Sequence, residues 1–190
     1  MKKSFYLIYR CVLCLALMSG LVSCDDDLQD EFSRYPALFR FPMVNTTPQL
    51  RSALNDPGMF CKITFPPQLY LFTDAQGKST PVNRTSLEAY GKPTFISGFI
   101  VGTPALPDNM SGSFFNVAFD LVCPLCYESK FIERELDFNG TVATEMKCAR
   151  CGSIYDLNNN GIIKNNEGNY KLYRYRMSYN KVQGSLMIHN

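Results

Sequence analysis

Four cysteines in two Cys-x-x-Cys pairs carry the strongest chemical signal in this chain. The first pair is Cys123-Pro124-Leu125-Cys126 and the second is Cys148-Ala149-Arg150-Cys151. Between them lie 21 residues, Tyr127 to Lys147. Each pair fits a tight turn that aims two sulfurs the same way, so four thiols can meet at one point. The separation is close to that of a structural zinc site, where about 15 to 20 residues divide the pairs. The chemistry such a set offers is metal binding by thiolate.

Several outcomes satisfy these thiols. Four thiolates in a tetrahedron suit Zn²⁺, with Zn–S near 2.3 Å, and close the coordination sphere so that the metal holds structure. The same four can hold iron, either as a single ion or as a [2Fe–2S] cluster. In an oxidising compartment they can instead pair as disulfides, Cys123 with Cys126 or across the two loops. Of the other cysteines, Cys11 and Cys14 stand in the apolar stretch near the N-terminus. Cys61 stands among Phe60, Ile63 and Phe65 and reads as a small buried apolar residue.

Two rival patterns overlap the site. Cys-Pro-Leu-Cys after the apolar run Phe115–Val122 is similar to a thioredoxin active site, with Glu128–Leu136 as its helix. The other parts of that α/β fold are missing, and the second pair is left unexplained. Asp156, Asn158, Asn160, Gly161 and Glu167 match the spacing of a twelve-residue EF-hand calcium loop. A calcium loop of that kind needs a helix on each side. Here a Cys turn precedes and a Tyr-rich strand follows, so an Asn-Gly hairpin turn is the simpler reading.

The elements that must position the cysteines are strands. Phe60–Phe65, Leu69–Thr73, Thr94–Val101 and Phe114–Val122 are predicted strands, followed by Thr141–Met146, Gly161–Lys164, Tyr170–Tyr179 and Ser185–Ile188. Turns rich in Pro, Gly and Asn separate them. Phe39–Met43 alternates and reads as an edge strand. Thr47-Pro48 predicts an N-cap and first helical position for a short helix through Leu54. Tyr173, Tyr175 and Tyr179 fall on one face of the last long strand and Tyr170 on the other. The expectation is an all-β antiparallel sandwich or barrel, residues 35–190, with a small metal-binding lobe at about 122–158.

The second pair and its sequel resemble a known family. Cys148-Ala149-Arg150-Cys151-Gly152-Ser153-Ile154-Tyr155-Asp156 is similar to the second cluster-binding loop of Rieske iron–sulfur proteins, with Cys in place of His. The first pair departs further, because Cys126 stands in place of the first His and one residue later. Rieske centres owe their raised potential to two imidazoles on one iron. This chain has one histidine, His189, at the end of the last predicted strand. Both pairs therefore look like the turns of zinc ribbons and rubredoxins, where backbone N–H groups after the first Cys bond its sulfur. The resemblance implies a Rieske-like fold with a rubredoxin-like lobe. It also implies that Ser153 and Tyr155 donate hydrogen bonds to sulfur.

The first 23 residues read as a targeting segment. Lys2, Lys3 and Arg10 precede a short apolar stretch, residues 11–22, and no acid occurs before Cys24. Leu21-Val22-Ser23-Cys24 resembles a bacterial lipoprotein processing site, which implies lipidation at Cys24. Asp25, Asp26, Asp27, Asp30 and Glu31 then form an acidic tether, residues 24–34. Without the three leading cations the chain holds 16 basic against 17 acidic residues, so no basic face for nucleic acid is implied. No Ser/His pair, phosphate-binding Gly loop or framed carboxylate pair is present. The sequence thus points to a non-enzymatic, membrane-anchored envelope protein with a four-Cys site. Its partner would be another envelope protein or, were the metal iron, a redox partner.

Overall fold

The computed structural model describes residues 31–190 except 86, 88, 90, 108–111 and 167. The targeting segment, Cys24 and the acidic residues before Glu31 lie outside the described residues. So does Glu167 of the calcium-loop pattern. From Phe32 onward the chain forms one unit.

Its main sheet has eight antiparallel strands and curls into a half-barrel. The strands are β1 (Leu38–Phe41), β2 (Met59–Thr64), β3 (Leu69–Thr73), β4 (Ser79–Asn83), β5 (Phe99–Thr103), β6 (Val117–Asp120), β11 (Arg174–Asn180) and β12 (Ser185–His189). Their spatial order is β1-β12-β11-β6-β5-β2-β3-β4. The closing hairpin pairs Tyr179 with Leu186 and Arg176 with His189. The all-β class expected from the sequence is the class observed. One helix, α1 (Pro48–Asn55), packs on the sheet through Leu50, Ala53 and Leu54. Thr47 stands at its N-cap with Pro48 following, as the sequence predicts. The Thr47 hydroxyl donates back to Met43 O at 3.1 Å and does not bond a helix amide.

A second sheet is inserted between β6 and β11, which are themselves neighbours in the main sheet. It contains β7 (Asp137–Asn139), β8 (Val142–Lys147), β9 (Ile154–Asp156) and β10 (Ile162–Ile163), in the order β10-β9-β8-β7. The short helix α2 (Pro124–Lys130) leads into it. β10 carries this lobe beyond residue 158, to Ile163.

Burial explains how the two sheets sit together. Every residue of β5 and β6 is buried. On one face, Phe99, Val101 and Ala118 join Phe39, Phe41, Tyr70 and Phe72 in an aromatic core. On the other, Ile100, Val117 and Phe119 join Leu136, Met146 and Tyr155 of the lobe. A strand covered on both faces loses its period-two pattern and reads as a continuous apolar run, as Phe99-Ile100-Val101 does. Cys61 is fully buried in the aromatic core, as a small apolar residue should be.

Three predicted strands begin several residues late. Residues 94–98 are not part of β5, because the Asp120 carboxylate takes the Ile96 and Ser97 N–H groups at 2.9 and 3.2 Å. Phe114 and Phe115 are exposed before β6 begins. Residues 170–172 serve the lobe, with Ile163 N–H bonding Tyr170 O and Leu172 N–H bonding Gly161 O, so β11 starts only at Arg174.

Candidate metal centre

The first cysteine pair opens a helix and is not the free-standing turn that its resemblance to zinc ribbons implies. Cys123 is the N-cap of α2, with an extended backbone, and Pro124 follows inside the first turn. Proline costs nothing there, since that N–H has no helical partner. Cys126 comes one turn on, so its sulfur lies on the same side as that of Cys123. The helix stops at Phe131, which takes the left-handed conformation. The thioredoxin-like helix Glu128–Leu136 therefore does not form: residues 132–136 instead run back along the β6 end. Cys123 N–H bonds Arg134 O at 2.8 Å and Leu136 N–H bonds Leu121 O at 2.9 Å. Asp120 fixes the approach from the other side, accepting from Val122 N–H at 2.9 Å.

The second pair is a tight turn between β8 and β9. Gly152 N–H bonds Cys148 O, and Cys148 N–H bonds Ser153 O, both at 2.9 Å. Gly152 sits at φ +75°, a conformation that a side chain would strain. Two asparagines after β10, Asn165 and Asn166, clamp this turn. Asn165 donates to Gly152 O at 2.9 Å and accepts from Ile154 N–H at 2.7 Å. Asn166 donates to Ser153 Oγ at 2.5 Å. Sequence reasoning missed both, because only the return of the chain through β10 brings them to the loop.

All four predicted ligands come together. The sulfurs of Cys123, Cys126, Cys148 and Cys151 lie within 4.8 Å of one another and can hold a metal ion. Cys123 Sγ is 3.6 Å from Cys151 Sγ, and Cys126 Sγ is 3.8 Å from Cys148 Sγ. These two contacts are opposite edges of a tetrahedron. Sulfurs placed about 2.3 Å from one ion stand about 3.8 Å apart along each edge. All four thiols are free, and the sulfurs stand well beyond the roughly 2.05 Å of a disulfide. Cys123, Cys126 and Cys148 are buried, and Cys151 is exposed.

The electrostatics disfavour bare thiolates at the buried positions. Burial pushes the Cys123 thiol far up and the Cys126 thiol up to about 11. Burial also raises Cys151, but the Ser153 hydroxyl and backbone N–H, with Cys148 and Cys123, outweigh it and bring the thiol down to about 7. Buried thiolates without a counter-charge are costly, and a bound cation removes that cost.

Two hydroxyls lie within hydrogen-bond reach of sulfur and can donate to a thiolate. Leu125 N–H donates to Tyr155 Oη at 3.4 Å, which leaves the Tyr155 proton for Cys123 Sγ, also at 3.4 Å. Asn166 donates to Ser153 Oγ, which leaves the Ser153 proton for Cys151 Sγ at 3.1 Å. The backbone N–H of Cys126 supports Cys123 sulfur and that of Ser153 supports Cys151 sulfur. The remaining polar candidates lie elsewhere. His189 bonds the backbone of Asn190 at the end of β12. Asp156, Asn158 and Asn160 spend oxygens on Asn158 N–H, Ala105 N–H and Arg174 respectively. Asp156 ends strand β9, and Asn158 and Asn160 follow in the short 3-10 turn that leads to β10, so no α-helix flanks the pattern on either side among the described residues.

No protein-family model matches this chain, and no curated protein matches it.

Proposed function

We propose that this chain is a lipid-anchored cell-envelope protein whose four cysteines hold a structural zinc ion. It acts as an interaction or assembly module and not as an enzyme. The observation that carries this reading is the sulfur cluster, with opposite edges of 3.6 and 3.8 Å. That spacing suits one four-coordinate ion and leaves no position open for a substrate. A closed site supplies folding energy and no Lewis-acid chemistry. A [2Fe–2S] cluster places its thiolate pairs on two different irons and needs them farther apart, so a mononuclear site is favoured. The envelope assignment rests on Lys2, Lys3 and Arg10, the apolar stretch, the Leu21–Cys24 processing pattern and the acidic tether. A Rieske-related ancestry accounts for two further features. One is a Cys-bearing small sheet inserted into a larger β-domain. The other is Gly152-Ser153-Ile154-Tyr155-Asp156, whose hydroxyls turn toward sulfur.

Those hydroxyls favour a second reading, an electron-transfer protein with a mononuclear iron–thiolate centre. Hydrogen bonds to sulfur tune the potential of such centres. A flat apolar face for a redox partner would strengthen it, but Leu125, Tyr127 and Ile154 are half-buried, and the exposed residues of the second loop are Ala149, Arg150 and Cys151.

Metal content and the visible spectrum of the chain, purified anaerobically without chelator, decide between the two. One zinc per chain and no colour is the expected result. Iron with thiolate charge-transfer bands would replace zinc with electron transfer, and no metal at all would sink both. The mass of the mature N-terminal peptide tests the anchor: it should begin at Cys24 and carry acyl chains.

A further inference from the structure

We propose that Cys151 is the oxidation site of this centre, and that its oxidation links it to Cys123 across the two loops and expels the metal. The inference rests on the four-thiolate reading above and extends it to a redox-controlled exchange of metal for disulfide.

Access and distance carry the argument. Three of the sulfurs belong to residues that are 0%, 5% and 0% exposed, Cys123, Cys126 and Cys148. Cys151 alone is open to solvent, an exposed residue whose place in the sulfur cluster is half-buried. A small oxidant in solvent therefore meets Cys151 first, and reactivity follows thiolate character and access. The sulfur poised to resolve the product belongs to the other loop: Cys123 Sγ at 3.6 Å. The remaining two sulfurs, Cys126 and Cys148, face each other at 3.8 Å. Both of these contacts run between the loops, and the disulfides form along them.

The electron balance closes with a two-electron oxidant of the peroxide class. The Cys151 thiolate attacks one peroxide oxygen, the O–O bond breaks, and hydroxide leaves. The Cys123 thiolate then attacks the resulting sulfenic sulfur. The S–O bond breaks, a second hydroxide leaves, and the S–S bond forms. Two thiolates lose one electron each, one peroxide is reduced, and two protons complete two waters. An ion that loses two of four ligands dissociates. A second peroxide can join Cys126 to Cys148. The cross-loop bond then ties α2 to the β8–β9 turn in place of the metal.

The test uses the full chain loaded with zinc alone, its metal content measured before any oxidant is added. Hydrogen peroxide is titrated in, released zinc is followed with a chromogenic chelator, and non-reduced peptides are mapped by mass spectrometry. Zinc release should track a peptide joining Cys123 to Cys151, before any Cys126–Cys148 product. Dithiol reductant plus zinc should restore the starting state. A first bond between Cys148 and Cys151 or between Cys123 and Cys126 would overturn the proposal. So would sulfinic or sulfonic acid on Cys151 without a disulfide. Absence of zinc at the start would instead overturn the metal reading, and the map of the peroxide-treated reduced chain would still decide the pairing.

Discussion

The two sheets of this molecule are held together by different physics. The half-barrel encloses a dense set of rings: Phe39 stacks near Phe41 and Phe99, Phe41 lies 4.6 Å from Phe72, and Phe65 lies 4.1 Å from Phe95. Rings bury large areas and pair favourably beyond that burial. The lobe has strands of three, six, three and two residues. Apart from β8, each is shorter than any strand of the half-barrel. Part of the lobe core is sulfur: Cys123, Cys126 and Cys148 pack with Leu136, Met146, Tyr155 and Leu157. Where the half-barrel core is almost all hydrocarbon, the lobe core includes three thiols that the proposed metal would link. The difference teaches that three of the four cysteines are as much core as site.

The sharpest way to break this comparison is to remove the link. Stripping the metal, or Cys148→Ala, should unfold the lobe while the half-barrel keeps its strands. The scale is set by structural zinc, whose apparent binding energy reaches about 10–16 kcal/mol in small metal-folded peptides. Native-state hydrogen exchange should show β7–β10 losing protection and β2, β3 and β12 retaining it. Equal loss in both sheets would mean that they form one cooperative unit and that the contrast is wrong.

The converse experiment is Phe99→Ala. Phe99 is fully buried and meets Phe39, Phe65, Phe95 and Tyr175. Truncating a buried Phe costs roughly 3–5 kcal/mol. Urea unfolding should show that loss in the half-barrel, with the metal still bound one per chain before the transition.

Asp120 joins the two regions, and its contribution should vary with pH. It is fully buried and accepts from Ile96, Ser97 and Val122 N–H and from the Tyr175 hydroxyl. Burial pushes its carboxyl above the reference 3.8, and these four donors only partly offset the shift. The folded state therefore keeps this proton to higher pH than the unfolded chain does. The group's contribution is greatest below 3.8 and declines as pH rises through the folded value. Asp120→Asn should remove that slope. It should also cost about 1–3 kcal/mol, because an amide NH₂ replaces an acceptor and leaves a backbone N–H facing it. Urea midpoints of both proteins across a pH series give the difference directly. Tyr155→Phe should cost slightly less, about 1–2 kcal/mol, by orphaning Leu125 N–H and removing the donor to Cys123 sulfur.

The chemistry of the site was more legible than its scaffold. Cysteine spacing and the Gly-Ser-x-Tyr-Asp pattern are local properties, and Cys123, Cys126, Cys148, Cys151, Ser153 and Tyr155 all meet in the structure. The alternation of Phe60–Phe65 and Leu69–Thr73 and the Thr47-Pro48 cap are local too. Other elements depend on partners distant in sequence. β4 is polar, contains Pro81 and forms an edge paired only with β3, so its inward Thr80 and Val82 gave too weak an alternation. β9 lies inside the cysteine-loop pattern and exists because β8 and β10 flank it. Helix α2 has seven residues, one of them proline, and its position follows from the Cys123 cap. Ile96 reads as strand by composition, but a carboxylate 24 residues later captures its N–H.

The smallest expected effect sharpens the comparison within the lobe itself. Glu145 on β8 accepts from Lys164 Nζ beyond β10 at 2.6 Å and from Asn139 of β7 at 2.9 Å. One carboxylate thus spans the width of the small sheet. The Lys164 bond, then that of Asn139, holds the Glu145 carboxyl below its usual value of 4.5. A lowered folded value means that this stabilisation is present above 4.5 and is lost as pH falls through the window beneath it. The partners are near solvent, so salt should screen the pair. Glu145→Gln should flatten the acid limb of lobe unfolding, followed by metal release, and leave half-barrel unfolding unmoved. Raising the salt concentration should erase most of the difference between variant and parent. If Glu145→Gln instead destabilised the half-barrel equally, the lobe would not be the separately held region that its sulfur core implies.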